Sequence, residues 1–94
     1  LRTGGEEQAA VIRVLRSTGW TVYSTSDPRV RRATKGIVDL IAFKPNRVLF
    51  WDSKAGKGKM TQEQTEFMAH ARQAGAEVGW GDAEVCRMHQ MATV

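Results

Sequence analysis

Residues 36–54, GIVDLIAFKPNRVLFWDSK, hold two apolar runs with one aspartate in each, and the second run adds a lysine two residues later. A carboxylate inside a core strand is costly. Desolvating an unpaired charge takes several kcal/mol (~2–7 for a polar group, more for an ion) or forces the group neutral. Two such carboxylates on neighbouring strands also repel each other. A divalent cation between them removes both penalties, so Asp39, Asp52 and Lys54 together predict a metal-dependent catalytic site.

The runs themselves predict strands. Residues 37–43 and 47–54 are rich in β-branched and aromatic side chains, and Pro45-Asn46 between them suits the centre of a tight turn. The pair reads as an antiparallel hairpin. Apolar residues on both faces imply a central sheet covered on both sides. Upstream, Ala10, Val11, Val14 and Leu15 recur at helical spacing within residues 6–16, with Gly19 as a stop. Residues 20–25 alternate as a short strand. Residues 26–35, SDPRVRRATK, are polar, basic and turn-prone and read as a loop.

Residues 55–60, AGKGKM, read as a second basic loop. A helix follows to about residue 74, with Thr61 as N-cap, Gln64 three positions on, and Phe67, Met68 and Ala71 as its buried stripe. Gly75 ends it, residues 76–80 form a short strand, and residues 83–91 a last helix. The expected fold is a single α/β domain over 1–94, in the order α-β-β-β-α-β-α, with helices flanking a central mixed sheet. Trp20, Trp51 and Trp80 fall on strands and are assigned to the core.

Composition excludes more than it specifies. Ninety-four residues suffice for one core. A net charge of +4 favours a polyanionic partner. The one cysteine, Cys86, cannot form an internal disulfide and has no catalytic partner in its context. No apolar run approaches the ~20 residues needed to span a bilayer and no signal peptide is visible, so an intracellular, membrane-free chain is expected.

Strand side chains alternate faces, so Asp52 and Lys54 share one, and Asp39 on the hairpin partner can lie beside them. A metal held by Asp39, Asp52 and the Ser53 carbonyl would bind a phosphate oxygen and acidify a water, with Lys54 polarising that water and offsetting transition-state charge. Magnesium or manganese is indicated, because the ligands are hard oxygens and there is no Cys/His cluster. Arg29, Arg31, Arg32, Lys35, Lys57 and Lys59 lie in the two loops flanking the site; such charge runs are either solvated faces or, here beside the carboxylates, contacts for an approaching DNA phosphate.

The chain resembles the PD-(D/E)xK nucleases, which have a restriction-endonuclease-like core, and among them the virus-type replication-repair nuclease (VRR-NUC) domains. The resemblance rests on a glutamate-bearing first helix, G-I-V-D-L-I-A at 36–42, D-S-K-A-G at 52–56, M-T-Q-E-Q at 60–64 and G-A-E-V at 75–78. Val38 stands where that family usually has proline. Asp52 stands where these domains usually carry glutamate, although the wider superfamily accepts aspartate. Archaeal Holliday-junction resolvases share the wider core and a similar size.

The resemblance implies a magnesium- or manganese-dependent deoxyribonuclease hydrolysing phosphodiester bonds in structured DNA, foremost four-way (Holliday) junctions. It is expected to act as a homodimer in a bacterial or phage-infected cytoplasm, in replication, recombination, repair or packaging. It also implies that Gln64 sits near the metal, although a capping-box role alone accounts for that residue. A helix-1 glutamate is expected as an outer metal or water ligand. Glu7 shares the inward stripe of Ala10, Val11 and Val14, whereas Glu6 aligns with Arg13, so Glu7 is preferred. A glutamate favoured by the helix dipole remains the other reading. Flap or end cleavage, and a catalytically silent DNA-binding module, are the alternatives. Val85, Met88 and Met91 form a stripe on the last helix that serves either a dimer contact or the domain's own core.

Overall fold

Asn46 takes a positive φ (63°), where a Pro-Asn turn needs it, and the hairpin it closes organises the chain. The computed structural model describes residues 3–55 and 58–92. Strand β2 (Leu40–Lys44) pairs antiparallel with β3 (Arg47–Ser53), from Lys44↔Arg47 at the turn to Leu40↔Trp51. Strand β1 (Thr21–Ser24) adds antiparallel to β2, and β4 (Glu77–Gly81) adds parallel to β3. The result is a four-stranded mixed sheet in the order β1-β2-β3-β4, with β4 at one edge.

Helix α1 (Gly4–Ser17) starts at Thr3, whose hydroxyl accepts from Glu6 N–H. It ends in a Schellman pattern: Gly19 N–H donates to Arg16 O, and Trp20 N–H to Leu15 O. Helix α3 (Gln62–Gln73) ends identically, through Gly75 to Arg72 O and Ala76 to Ala71 O. Helix α4 (Ala83–Ala92) closes the chain. Helices α1 and α4 pack on one sheet face, where Val11, Leu15, Leu40, Leu49, Trp51 and Cys86 form the core. Trp20 joins them and donates from Nε1 to Gln90 Oε1 (2.7 Å). Among the described residues, no helix is long and apolar enough to cross a membrane.

Four expectations need correction. Residues 28–33 are not loop but a short helix, α2 (Pro28–Ala33). It buries no residue, so it leaves no apolar periodicity to read. Its signal is local: Asp27 caps it by accepting from Arg29 N–H, and Pro28 occupies its first turn. The second strand starts at Leu40 rather than residue 37, because Val38 and Asp39 turn their carbonyls to Thr25.

The sheet is covered on both faces only in part. Helix α3 covers the β3–β4 half of the second face, through Met68 and a Phe50–Phe67 edge contact (centroids 5.1 Å apart), and leaves Tyr23 and Phe43 exposed. Trp20 and Trp51 are buried as expected, but Trp80, on the edge strand, is 47% exposed. The α4 stripe of Val85, Met88 and Met91 is likewise exposed. Ala83 and Cys86, with Gln90, face inward instead.

One glycine fixes where α3 begins. Gly36 has φ +87°, and a Cβ there would lie 2.5 Å from the main-chain oxygen of Glu63. Left-handed backbone and steric overlap together are expected to make Gly36→Ala cost at least ~2 kcal/mol, lowering Tm by roughly 10 °C. A Cβ at Gly5 meets nothing within 4 Å, so Gly5→Ala should leave Tm unchanged or slightly raised. Thermal denaturation of the two variants checks both.

Candidate functional site

The β2–β3 ladder ends at Leu40↔Trp51, and the two aspartates take over just beyond it. Asp39 Oδ1 accepts from Ser53 N–H (2.9 Å), and Asp52 Oδ1 accepts from Asp39 N–H (3.2 Å). Each carboxylate thus satisfies a main-chain amide across the hairpin mouth, where the ladder would otherwise leave it unpaired. The Ser53 hydroxyl donates to Asp39 Oδ2, and Gln8 of α1 donates to the same oxygen (3.3 Å). Both side chains are nearly out of solvent, Asp39 at 7% and Asp52 at 2% exposure. Burial is the largest influence on the Asp39 carboxyl and pushes its pKa above the ordinary 3.8. The nearby Asp52 charge adds to the rise, and the bonds from Ser53 and Gln8 oppose it.

Lys54 reaches back along its own strand and pairs with Asp52 Oδ2 (Nζ–O 2.8 Å). Its ammonium also donates to Gln64 Oε1 (3.2 Å). That oxygen in turn accepts from Thr61 N–H (3.1 Å), and Gln64 N–H donates to the Thr61 hydroxyl, completing a capping box. Gln64 Nε2 donates to Asp52 Oδ1 (3.2 Å). The amide has only one workable orientation, because Thr61 N–H and Lys54 can only donate and an ionised Asp52 can only accept. The capping-box role of Gln64 is met, and the cap of α3 also aims its side chain at the Asp52 carboxylate.

Asp39, Asp52, Ser53, Lys54 and Gln8 border a cleft of about 390 Å³ that Gly4 and Arg31 also line. Of the expected basic residues, Arg31 lines this cleft. Lys35 lines a neighbouring one, with Arg31, Gly36 and Gln64. Arg29 forms a two-pronged pair with Asp27 at the start of α2 (2.8 and 3.2 Å). Arg32 is exposed on α2, and Lys59 borders a separate groove beside α3. Lys57 lies outside the described residues.

Glu7 is buried, as its stripe predicts, and one of its contacts lies away from the cleft. Its Oε2 accepts from Ala83 N–H (2.9 Å), so the carboxylate sits at the start of α4 and joins α1 to that helix. The α1 side chain that reaches Asp39 is Gln8. Sequence reasoning overlooked it because a neutral amide one residue beyond the apolar stripe carries no chemical signal of its own. Burial pushes the Cys86 thiol up to about 12, which removes it as a nucleophile near neutrality.

Among the described residues no three His, Cys, Asp or Glu side chains come together as a metal site. The cleft does hold two buried carboxylates against one lysine. Among the described residues each carboxylate accepts three hydrogen bonds, against the roughly four that two carboxylate oxygens can take. Such a set fits a hard divalent ion that draws the rest of its shell from water and substrate, in the usual manner of magnesium.

Compared with known proteins, the chain matches no protein-family model and no curated protein sequence.

The raised Asp39 pKa has a signed consequence in chelator. The folded state holds the Asp39 proton more tightly than the unfolded chain. The stability this contributes is fully present below the unfolded value and is lost as pH rises through the folded one. Asp39→Asn, neutral throughout, is expected to melt a few degrees above the parent at neutral pH, with the gap closing as pH falls toward 4 (roughly the unfolded carboxyl range). A variant that melts lower at neutral pH would show that the lost acceptor contacts to Ser53 and Gln8 outweigh the buried charge.

Proposed function

We propose that the chain is a divalent-metal-dependent DNA endonuclease of the PD-(D/E)xK type, acting on branched DNA. The observation that carries the reading is the convergence of Asp39, Asp52 and Lys54 at one cleft, with Gln64 bonded to Asp52 and Lys54 from the first turn of α3. They come from three separate segments of the chain. A structural ion pair would account for Asp52 and Lys54, but it would not require a second buried carboxylate beside them.

Magnesium or manganese held by Asp39, Asp52 and the Ser53 carbonyl would supply Lewis-acid stabilisation of a phosphoryl oxygen and a more acidic water. The protein's own groups do the rest. Lys54 places a positive charge beside Asp52, where it can hold an attacking water and stabilise charge building on the phosphorus oxygens. Gln64 fixes both partners. Gln8 and Ser53 hold Asp39 in place, and Arg31 offers the cleft a cation for the entering phosphate backbone. The net charge of +4 supports a polyanionic substrate.

The test is a cleavage panel of four-way junction, flap, duplex and single strand, each with magnesium, manganese or chelator. Divalent-dependent cleavage supports the enzyme. Binding without cleavage favours a silent DNA-binding module. Lys54→Ala should abolish cleavage while DNA affinity stays within a few-fold, since other cations supply most of the binding. In chelator it should also lower stability by about 3 kcal/mol, because Asp52 remains buried without its counter-charge. Near-normal cleavage would remove Lys54 from the mechanism.

Gln64→Glu separates the two roles of that residue. A glutamate keeps the capping-box acceptor but replaces the donor to Asp52 with a like charge. Helical content should persist while cleavage falls roughly 10–100-fold.

The exposed α4 stripe supports the homodimer part of the reading, since paired incision needs two sites at fixed separation. Sedimentation at micromolar concentration should give a dimer that Met88→Lys converts to monomer. A strictly monomeric parent would favour single incision at flaps or ends.

A further inference from the structure

The exposed indole of Trp80 stands beside the proposed site. In the parallel β3–β4 pairing it is in register with Asp52, so both side chains rise from the same sheet face on adjacent strands. The strands stay joined beyond this point, with Lys54 N–H donating to Gly81 O (3.0 Å). Trp80 forms one wall of a groove of about 390 Å³. Met60, Met68 and Ala69 supply apolar lining, and Lys59 and Arg72 bring two positive charges. Neither cation forms an ion pair among the described residues, and no acidic side chain lines the groove.

A half-exposed tryptophan, an apolar lining and unpaired cations together match a flat aromatic ligand attached to phosphate. We infer that this groove holds an unpaired nucleobase of the DNA strand. The base stacks on Trp80, and its flanking phosphates lie against Lys59 and Arg72. The inference rests on the nuclease reading and narrows its substrate. Bases inside a duplex present their edges, and only an unstacked base offers a face to an aromatic side chain. The DNA therefore carries unpaired nucleotides beside the phosphate that reaches Asp52, as at an opened junction, a flap or a frayed end. Charge complementarity favours DNA over a second copy of this chain, which has a net charge of +4.

Trp20 and Trp51 are only 3% and 1% exposed, so Trp80 is the tryptophan open to a stacking base, and the emission of the two buried indoles is read from Trp80→Phe. Oligothymidylate titrated in chelator should quench the emission, and more strongly than a blunt duplex of equal length. Trp80→Phe should bind within about three-fold of the parent. Trp80→Leu, which keeps an apolar side chain in the groove, should lose about five-fold or more. Arg72→Ala should lower the slope of log affinity against log salt by about one.

Binding seen by anisotropy without quenching, or unchanged affinity in Trp80→Leu, would overturn the inference. So would a DNA-free dimer that Trp80→Leu dissociates, because the groove would then be covered by a second copy. The measurement needs no turnover. Quenching without divalent-dependent cleavage defeats the nuclease reading and leaves the base site standing. Cleavage without quenching defeats the base site alone.

Discussion

The carboxylates of Asp39 and Asp52, each bonded to an amide across the hairpin mouth, are the constraint around which the other parts are arranged. A hairpin this apolar could have continued its ladder past Leu40↔Trp51, but Val38 and Asp39 instead give their carbonyls to Thr25. The strands then part, and side-chain oxygens take the place of main-chain ones. Once two carboxylates are buried there, every nearby donor becomes necessary. Ser53, Gln8, Gln64 and Lys54 are those donors. A partly satisfied polar network in a low-dielectric site is worse than none, which explains why the α3 cap also serves it, through Gln64. Gly36 lets the chain pass against the first turn of α3, and that turn carries Gln64.

The length of the side chain at position 52 follows from the same geometry. An aspartate is short enough for Oδ1 to meet Asp39 N–H on the neighbouring strand while Oδ2 meets Lys54. A glutamate would carry its carboxylate one methylene further out and give up that main-chain contact unless the strands moved apart. Aspartate at 52 and the clasped hairpin mouth are thus one arrangement.

Much of this was legible in the sequence because it rests on signals with a short physical range. Aspartates inside apolar runs, Pro-Asn between β-branched stretches, Thr61 with Gln64, and glycines after helical stripes each act within a few residues. The elements they mark stand close to where they were expected. What stayed hidden depends on long-range packing. Glu7 shares a stripe with core residues, and the stripe correctly reports burial. Burial does not say against what, and the partner is Ala83, at the far end of the chain. Trp80 looks like a core residue by type, but position at a sheet edge, decided by β4 adding outside β3, leaves it half in water. Helix α2 was missed for the opposite reason: it is held by its cap alone and buries nothing.

The uneven covering of the sheet unites these points. Two helices seal one face and supply the core, so the other face is free to be only half closed. Helix α3 crosses that face over β3 and β4, and its first turn supplies Gln64 to Asp52. Beyond the helix, Trp80 remains open at the edge. A helix laid across all four strands would have buried Tyr23 and Phe43, added stability and closed the approach to the carboxylates. Incomplete coverage is therefore what keeps a buried carboxylate pair within reach of solvent, while the opposite face carries the stability that this opening forgoes.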